Sequence, residues 1–376
     1  MKGVAIILAF GWLVIAFFIV VPLLVFSFLP GRVEYAVLTR DIYLMENTLD
    51  YQAIATETAF SYSFYQGCFD VLRKGGYSSI PPQKGYESEG GILALWWDTG
   101  DQSPSPDDFL REVGKETAKD LNTYTSTGYD YVGDFSIALP RDYQLTLERL
   151  PDFEVKALAL SPAFIEVKKE DEKRGETVTL RKDSILQKNF STSCLEIFEK
   201  EKSLSAAIGS GMQQAASAQA ARWIQSGQAE KEGPPDFTPG QENEEMGNLV
   251  FQTAHQKTLA QAEEETAAAL RAVLPSLLPP EDPPFRRTAD ILDLSVDIAP
   301  LCSAIQETRT VNNQDRVFTK ISCTFTTSIL MVTRVASEDT REDKKLPVFN
   351  GQDVAFSPLR LLTAQRVDAT TAPGTA

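Results

Sequence analysis

The sequence predicts an α+β protein with an N-terminal transmembrane helix and stalk, and an antiparallel sheet with an inserted helical hairpin. Three patterns lead to this fold class: a long uncharged run at the N-terminus, two blocks of alternating apolar residues, and an Ala-rich helical segment between them. The predicted regions are a transmembrane helix at 1–30, a helical stalk at 31–76, an α+β region with a strand block at 77–202, the helical hairpin at 203–278, a β-rich region completing the sheet at 279–367, and a disordered tail at 368–376.

The N-terminal run is long enough to cross a bilayer. Residues 4–29 carry no charged side chain, and at about 1.5 Å per residue such a helix is roughly 39 Å long. A hydrocarbon core of roughly 30 Å needs about 20 apolar residues, so the run predicts one retained membrane span. A cleaved signal peptide is the alternative, but its apolar core is about 7–15 residues long and ends at a small-x-small site.

The region after the span predicts a stalk helix with a surface for assembly. Residues 35–60 repeat apolar side chains at three- or four-residue steps, which gives one apolar stripe. Further aromatic residues widen the apolar surface beyond a single stripe. The candidate assembly residues are Tyr43, Tyr51, Tyr62 and Tyr65. They predict self-association or docking to another envelope protein, and the alternative is that the stalk is simply a core helix of its own domain.

The remaining elements are predicted from local signals. One apolar strand covers residues 92–97, and Ser105-Pro106-Asp107-Asp108 begins a helix, because Ser can cap, Pro suits the first turn and acids favour the helix N-terminus. Alternation over 153–181 predicts strands that include a hairpin. Two helices, at 203–226 and about 243–274, flank a polar Pro/Gly linker, and alternation returns in the last block at 289–367.

Cysteine use predicts that the large domain lies outside the cytosol. The charges that flank the span are nearly balanced, so the positive-inside rule does not decide its orientation. The cysteines are Cys68, Cys194, Cys302 and Cys323. None lies in a C-x-x-C pair, and an even number without metal spacing is typical of disulfides in an oxidising compartment. Four buried thiols in a cytosolic domain are the alternative.

Four cysteines allow three pairings. Cys302 follows one predicted strand and Cys323 lies on the long strand that can pair with it, so this pair would close a loop of about 20 residues. Cys68 and Cys194 would then form the second bond.

Two other features bear on localisation and partners. Asn189-Phe190-Ser191 is a candidate N-glycosylation sequon. The net charge of −16 argues against nucleic acid and anionic lipid headgroups as partners of the large domain. The predicted localisation is therefore the cell membrane, with a single pass and the large domain extracytoplasmic.

The sequence offers little catalytic chemistry, and it predicts no enzyme, no cofactor and no metal site. His255 is the single histidine, and its polar neighbours predict a solvated helix face. The Asp98-Thr99-Gly100 triplet follows an apolar strand, as in aspartic proteases, whose chemistry needs two adjacent carboxylates. A membrane-tethered hydrolase or a ligand-binding module is therefore the alternative to a structural or interaction protein of the cell envelope.

The arrangement of the chain resembles uncharacterised archaeal single-span membrane proteins with a pilin-like N-terminal helix. The resemblance is carried by the M-K-G start and long span, the segment Y-Q-G-C-F-D-V-L-R-K-G-G at 65–76, D-L-N-T-Y at 120–124, and P-V-F-N-G at 347–351 with F-S-P-L at 356–359. Lys2-Gly3 before the apolar run also resembles a pilin-type signal, although bacterial type IV pilins carry a Glu where this chain has Leu8. The resemblance implies an exported envelope or pilin-like component and supplies no catalytic residue.

Overall fold

The computed structural model describes residues 2–127, 131–171, 175–349 and 353–371; within the first helix it describes the side chains of Phe17, Val21 and residues from 39 onward. The helices are α1 Lys2–Arg73, α2 Pro106–Ser126, α3 Ser193–Ala220, α4 Glu242–His255 and α5 Leu259–Leu277. The strands are β1 Gly85–Ser88, β2 Gly91–Asp98, β3 Tyr131–Val132, β4 Phe135–Ala138, β5 Gln144–Arg149, β6 Val155–Leu160, β7 Ile165–Asp171, β8 Glu176–Lys182, β9 Leu186–Phe190, β10 Ser226–Glu232, β11 Phe285–Val311, β12 Gln314–Asp339, β13 Leu346–Phe349, β14 Val354–Ser357 and β15 Arg360–Thr370.

The chain forms two compact units, and its combination of helices with mainly antiparallel sheets confirms the α+β class. The first unit contains residues 1–60, 121–144 and 159–186, and the second contains 61–120, 145–158 and 187–376. Within the part of the chain that the structure describes, no helix is long and apolar enough to cross a membrane. The span expected over residues 4–29 falls almost entirely on side chains outside that part.

The first unit packs one face of α1 against a four-stranded antiparallel sheet. The strand order is β3-β4-β7-β8, and β7 pairs with β8 as the hairpin that the sequence predicts. The core contains Met45 and Leu49 from the helix, and Phe135, Ile137, Ile165 and Val167 from the strands. The alternating residues of the strands and the three- and four-residue steps of the helix place these side chains on facing surfaces.

The second unit is built around a six-stranded sheet. Its order is β1-β2-β15-β12-β10, and β11 also pairs with β12. All of these pairs are antiparallel except β15 with β2, which is parallel. The unit also holds most of a three-stranded sheet, β5-β6-β9, and the two-stranded sheet β13-β14.

The hairpin β11–β12 dominates the sheet, with strands of 27 and 26 residues. Its turn is Asn312-Asn313, with φ of 54° and 60°, the left-handed conformation that a two-residue hairpin turn requires and that Asn accepts. The helices α3 and α5 cover one stretch of the sheet through Ile208, Met212 and Leu270. The helix α4 covers another through Val250 and Phe251.

Several sequence expectations need correction. The backbone of α1 is one helix of 72 residues, which continues without interruption across the predicted boundary between residues 1–30 and 31–76. The predicted polar linker contains β10, and the second helix of the hairpin divides into α4 and α5, because Gln256 is left-handed with φ of 58° and Thr258 caps α5 with Gln261 in a capping box.

Two further differences concern the strands. The blocks at 153–181 and 289–367 lie in separate sheets rather than one, because pairing partners are chosen by tertiary packing and not by alternation. The predicted start of the disordered tail at residue 368 is too early, because β15 continues to Thr370 beside Ser328 of β12. Residues 372–376 lie outside the described part of the chain.

Candidate interaction surfaces

The exposed face of α1 in the first unit is aromatic and apolar. Tyr43, Tyr51 and Ile54 are 62%, 68% and 64% exposed. Their spacing of eight and three residues keeps them within about 80° of one another around a helix of 3.6 residues per turn. Asn47 and Thr58 share this arc, so the surface has no charged side chain from Tyr43 to Thr58. We call these five residues the α1 face.

Charged residues flank the α1 face and attach the helix to its own sheet. Lys169 of β7 donates to Asp41 at 2.6 Å, and Lys182 of β8 donates to Asp50 at 2.8 Å. The hydrogen bond from Lys169 lowers the pKa of Asp41, so this carboxylate is charged at neutral pH. Asp41 and Asp50 therefore serve the contact with the sheet, and the five residues of the α1 face carry no charge.

The other two predicted assembly residues lie in the second unit and differ from each other. Tyr62 is 53% exposed. Tyr65 is half-buried, with its ring 5.7 Å from that of Phe190 in an edge-to-face arrangement, and burial raises its pKa. Phe190 also stacks on Phe64 at 4.0 Å. Tyr65 thus belongs to the packing around β9, and three of the four predicted tyrosines are exposed.

The cysteines form two disulfides. Cys68 of α1 bonds Cys194 of α3, with 6.0 Å between their Cα atoms. Cys302 of β11 bonds Cys323 of β12, with 4.1 Å between Cα atoms, and the two residues lie directly opposite each other in the strand register. This is the pairing that the sequence reasoning favours. Two disulfides are compatible with an extracellular protein.

Asn189 of the sequon lies in β9 and is exposed. The strand order places β9 at one edge of its three-stranded sheet. Its glycosylation stays a prediction.

The Asp98-Thr99-Gly100 triplet has a structural partner. Arg366 of β15 donates to both carboxylate oxygens of Asp98, at 3.2 and 2.6 Å. The pair joins neighbouring strands at the register position where Arg366 lies beside Asp98. Aspartic-protease chemistry needs two carboxylates that share a proton. Asp98 is instead held by the guanidinium of Arg366.

His255 was expected on a solvated face, and this expectation is wrong. The residue is half-buried, with its ring 5.3 Å from Trp223 and 4.7 Å from Phe251. Its Nε2 accepts from the backbone N–H of Ile224 at 3.4 Å. The helix α4 ends at His255, so the ring turns into the aromatic cluster instead of continuing along a polar face.

No family model, curated protein or solved structure matches this chain. Among the described residues, no group of three or more His, Cys, Asp or Glu side chains is arranged to hold a metal ion.

Sequence reasoning missed a buried ion pair in the second unit. Arg287 of β11 donates to Glu201 of α3 at 2.6 Å, and their side chains are only 3% and 6% exposed. Arg287 Nη1 is buried without a hydrogen bond in the described part of the chain. Burial raises the pKa of Glu201, although Arg287 acts in the opposite direction. Both residues lie within amphipathic patterns, where a charged side chain normally predicts exposure.

A pair of neighbouring carboxylates was also missed. Asp120 of α2 is buried enough that its pKa rises from 3.8 to about 6, and the charge of Asp70 contributes. Asp70 accepts a hydrogen bond from Gln66 at 3.0 Å. Asp120 Oδ2 is buried with no hydrogen bond in the described part of the chain. The two residues are 50 positions apart, so no local pattern could pair them.

Proposed function

We propose that this chain is a membrane-anchored, extracytoplasmic interaction protein of the cell envelope, and that the α1 face docks an apolar helix of a neighbouring envelope chain. The observation that carries the proposal is the exposure of Tyr43, Tyr51 and Ile54 on one uncharged helix face. Large aromatic and apolar side chains exposed together on one helix face are typical of interaction sites. Tyr is especially suitable, since it combines a large apolar ring with a polar tip.

The anchor in this proposal is the uncharged run at 4–29, and the extracytoplasmic side is supported by the two disulfides. The pilin-like resemblance of the N-terminal segment supports the same role. A hydrolase is disfavoured because Asp98 is held by Arg366. The proposal therefore assigns the chain to assembly rather than catalysis.

The docking role is tested by photo-crosslinking in native membranes. A benzoylphenylalanine replaces Tyr51 in the full-length chain, and the matched control replaces Glu46, which is exposed on a different side of α1. We expect an intermolecular product from position 51 and none from position 46. A product of twice the chain mass indicates a second copy, and another mass indicates a different envelope protein. If position 51 gives only intramolecular products, the α1 face is not a docking surface.

Topology is tested separately by adding protease to intact cells. The large domain should be degraded without permeabilisation, because it is predicted to face outward. Degradation only after permeabilisation would contradict the extracytoplasmic assignment.

A further inference from the structure

The end of the hairpin β11–β12 extends past the rest of its sheet. We call residues 303–316 the distal ribbon. The strand β10 pairs with β12 only from Phe318 to Thr324, which lie opposite residues 301–307 of β11, so from Thr308 onward the distal ribbon consists of its own two strands alone. Residues 303–310 are all exposed. Two strands without further support are marginally stable in water, which makes the free edges of this ribbon a place where another strand would be stabilising.

The strand register determines which backbone groups point away from β12. Cys302 and Cys323 are directly opposite with Cα atoms 4.1 Å apart, close to the roughly 4.5 Å of a non-hydrogen-bonded antiparallel pair and well below the roughly 5.5 Å of a hydrogen-bonded one. Even-numbered residues of β11 near Cys302 therefore direct their N–H and C=O groups outward. On β12, the backbone N–H of Phe325 donates to the carbonyl oxygen of Gln225, and the carbonyl oxygen of Val317 accepts from the backbone N–H of Gly233. Both groups point away from β11, as this register requires.

The outward edge of β11 is blocked near the helices. The N–H of Ile298 donates to Glu263 Oε1 at 2.8 Å, and the N–H of Cys302 donates to Asn243 Oδ1 at 3.1 Å. Between them, Pro300 has no N–H to donate. Proteins commonly protect sheet edges from unwanted pairing with such devices. Three successive outward positions of this edge are therefore closed to a further strand.

The same edge is open along the distal ribbon. The next outward positions are Ala304, Gln306, Thr308 and Thr310. Among the described residues, β11 pairs with no strand except β12, so the outward N–H and C=O groups at these positions face solvent. The contrast with the blocked stretch at 298–302 indicates that an added strand can pair here and not closer to the helices.

We infer that the distal ribbon pairs antiparallel with the distal ribbon of a second copy, with Thr308 opposite Thr308 at the two-fold axis. In this register Glu307 lies opposite Arg309 of the other copy, twice, and Ile305 lies opposite Val311, twice. Opposite charges and apolar pairs that face each other across strands are stabilising. The pairing makes one continuous sheet from two chains and uses a surface separate from the α1 face.

Repulsion between like charges disfavours the two registers whose two-fold axis lies one residue away from Thr308. Moving the axis to residue 307 places Glu307 opposite Glu307, and moving it to residue 309 places Arg309 opposite Arg309, both of which are unfavourable. Within one copy, Arg309 already donates to Glu307 at 2.7 Å and to Glu230 at 3.0 Å. Pairing would keep Arg309 beside Glu307 and Glu230 of its own chain and would add the Glu307 carboxylate of the second copy.

Cysteine crosslinking of the full-length, detergent-solubilised chain tests the register. All four native cysteines are in disulfides, so an added cysteine is the free thiol. Thr308→Cys should give a covalent dimer on mild oxidation, because a hydrogen-bonded pair has Cα atoms about 5.5 Å apart, within disulfide range. Gln306→Cys is the control: its two copies would lie roughly 13 Å apart and should not crosslink. A mixture of Gln306→Cys with Thr310→Cys should crosslink.

Charge variants test the same pairing without a new thiol. Glu307→Arg alone and Arg309→Glu alone should each lose self-association about tenfold or more, because both opposite-charge pairs become like-charge pairs. A mixture of the two variants should recover it as a heterodimer, since each Arg then faces a Glu. Circular dichroism of each variant checks that the fold is retained.

A backbone variant separates pairing from side-chain effects. Thr308→Pro removes an outward N–H that β12 does not use, as Pro300 does naturally, and should abolish the dimer, whereas Thr308→Val should keep it. No Thr308→Cys dimer, or no recovery in the charge-variant mixture, would overturn the inference. Crosslinks from Tyr51 of α1 do not involve this edge, so failure here is distinguishable from failure of the docking role of α1.

Discussion

At the scale of single residues, the second unit contains buried charged groups, and removing each of them from water costs free energy. Arg287 and Glu201 are buried together, and taking two charges out of water is favourable only when each satisfies the other. Asp120 is less buried but sits beside Asp70, which also disfavours its charged form. The stability of this unit should therefore respond strongly to changes at a few positions.

Arg287→Met should destabilise the protein by about 3–5 kcal/mol, because it leaves the Glu201 carboxylate buried without its partner. The matched control is Arg334→Met, whose pair with Asp290 is exposed on both sides and should cost below about 1 kcal/mol. Chemical denaturation of both variants at pH 7 measures the difference. Equal costs would show that the buried pair has no special role.

Asp120→Asn should stabilise the protein at pH 7. The folded-state pKa is raised from 3.8 to about 6, so the folded chain binds this proton more tightly than the unfolded chain, and stability is lost as the pH rises through that interval. Removing the charge should recover about 1 kcal/mol, since partial exposure lets solvent screen the group. The slope of melting temperature between pH 4 and 6 should flatten in this variant, and an unchanged slope would contradict the raised pKa of Asp120.

At the scale of secondary-structure elements, the space around a glycine determines how closely its helix packs against the neighbouring strand. A Cβ added at Gly209 of α3 would overlap the ring of Trp97 in β2, whereas one added at Gly114 of α2 would meet Leu147 at an ordinary 3.6 Å. The first glycine is therefore required by packing and the second is not.

The glycines make a matched pair of substitutions. Gly209→Ala should destabilise the protein by about 1–3 kcal/mol through overpacking against Trp97. Gly114→Ala should stabilise it by up to about 1 kcal/mol, because Ala loses less backbone entropy in a helix. Thermal unfolding of the two variants should give shifts of opposite sign, and a stabilising Gly209→Ala would contradict the close packing of α3 on β2.

At the scale of the whole molecule, the disulfides link distant parts of the second unit. Cys68 and Cys194 are separated by 126 positions, and Cys302 and Cys323 by 21. Because a crosslink restricts the unfolded chain more when it closes a longer loop, the first bond should contribute more, with about 3 kcal/mol expected for a loop near 20 residues and nearly 5 kcal/mol beyond 100.

Mass mapping without reduction should find these two linked peptide pairs and no free thiol. Cys68→Ala/Cys194→Ala should lower the melting temperature more than Cys302→Ala/Cys323→Ala does. A different pairing, or four free cysteines, would contradict the structure and would remove one support for the extracytoplasmic assignment.

The sequence alone determined the features that depend on neighbours along the chain. These are the α+β class, the start of α2 at Pro106, the hairpin β7–β8, and the uncharged run at 4–29. Each follows from a local cause: capping and proline preference, alternation, or the absence of charge. Exposure of Tyr43 and Tyr51 also followed from the helical period, because their face lies opposite the stripe that packs on the sheet.

Only the tertiary structure decided which distant residues meet. Tyr65 is half-buried because it packs against Phe190. Asp98 is held in an ion pair because Arg366 lies beside it. Arg287 is buried because Glu201 of α3 is its partner. The open edge at 304–310 likewise depended on where α4 and α5 end their cover of β11. Such outcomes are set by packing between residues far apart in the chain, and no period or motif in the sequence encodes the partner across that distance.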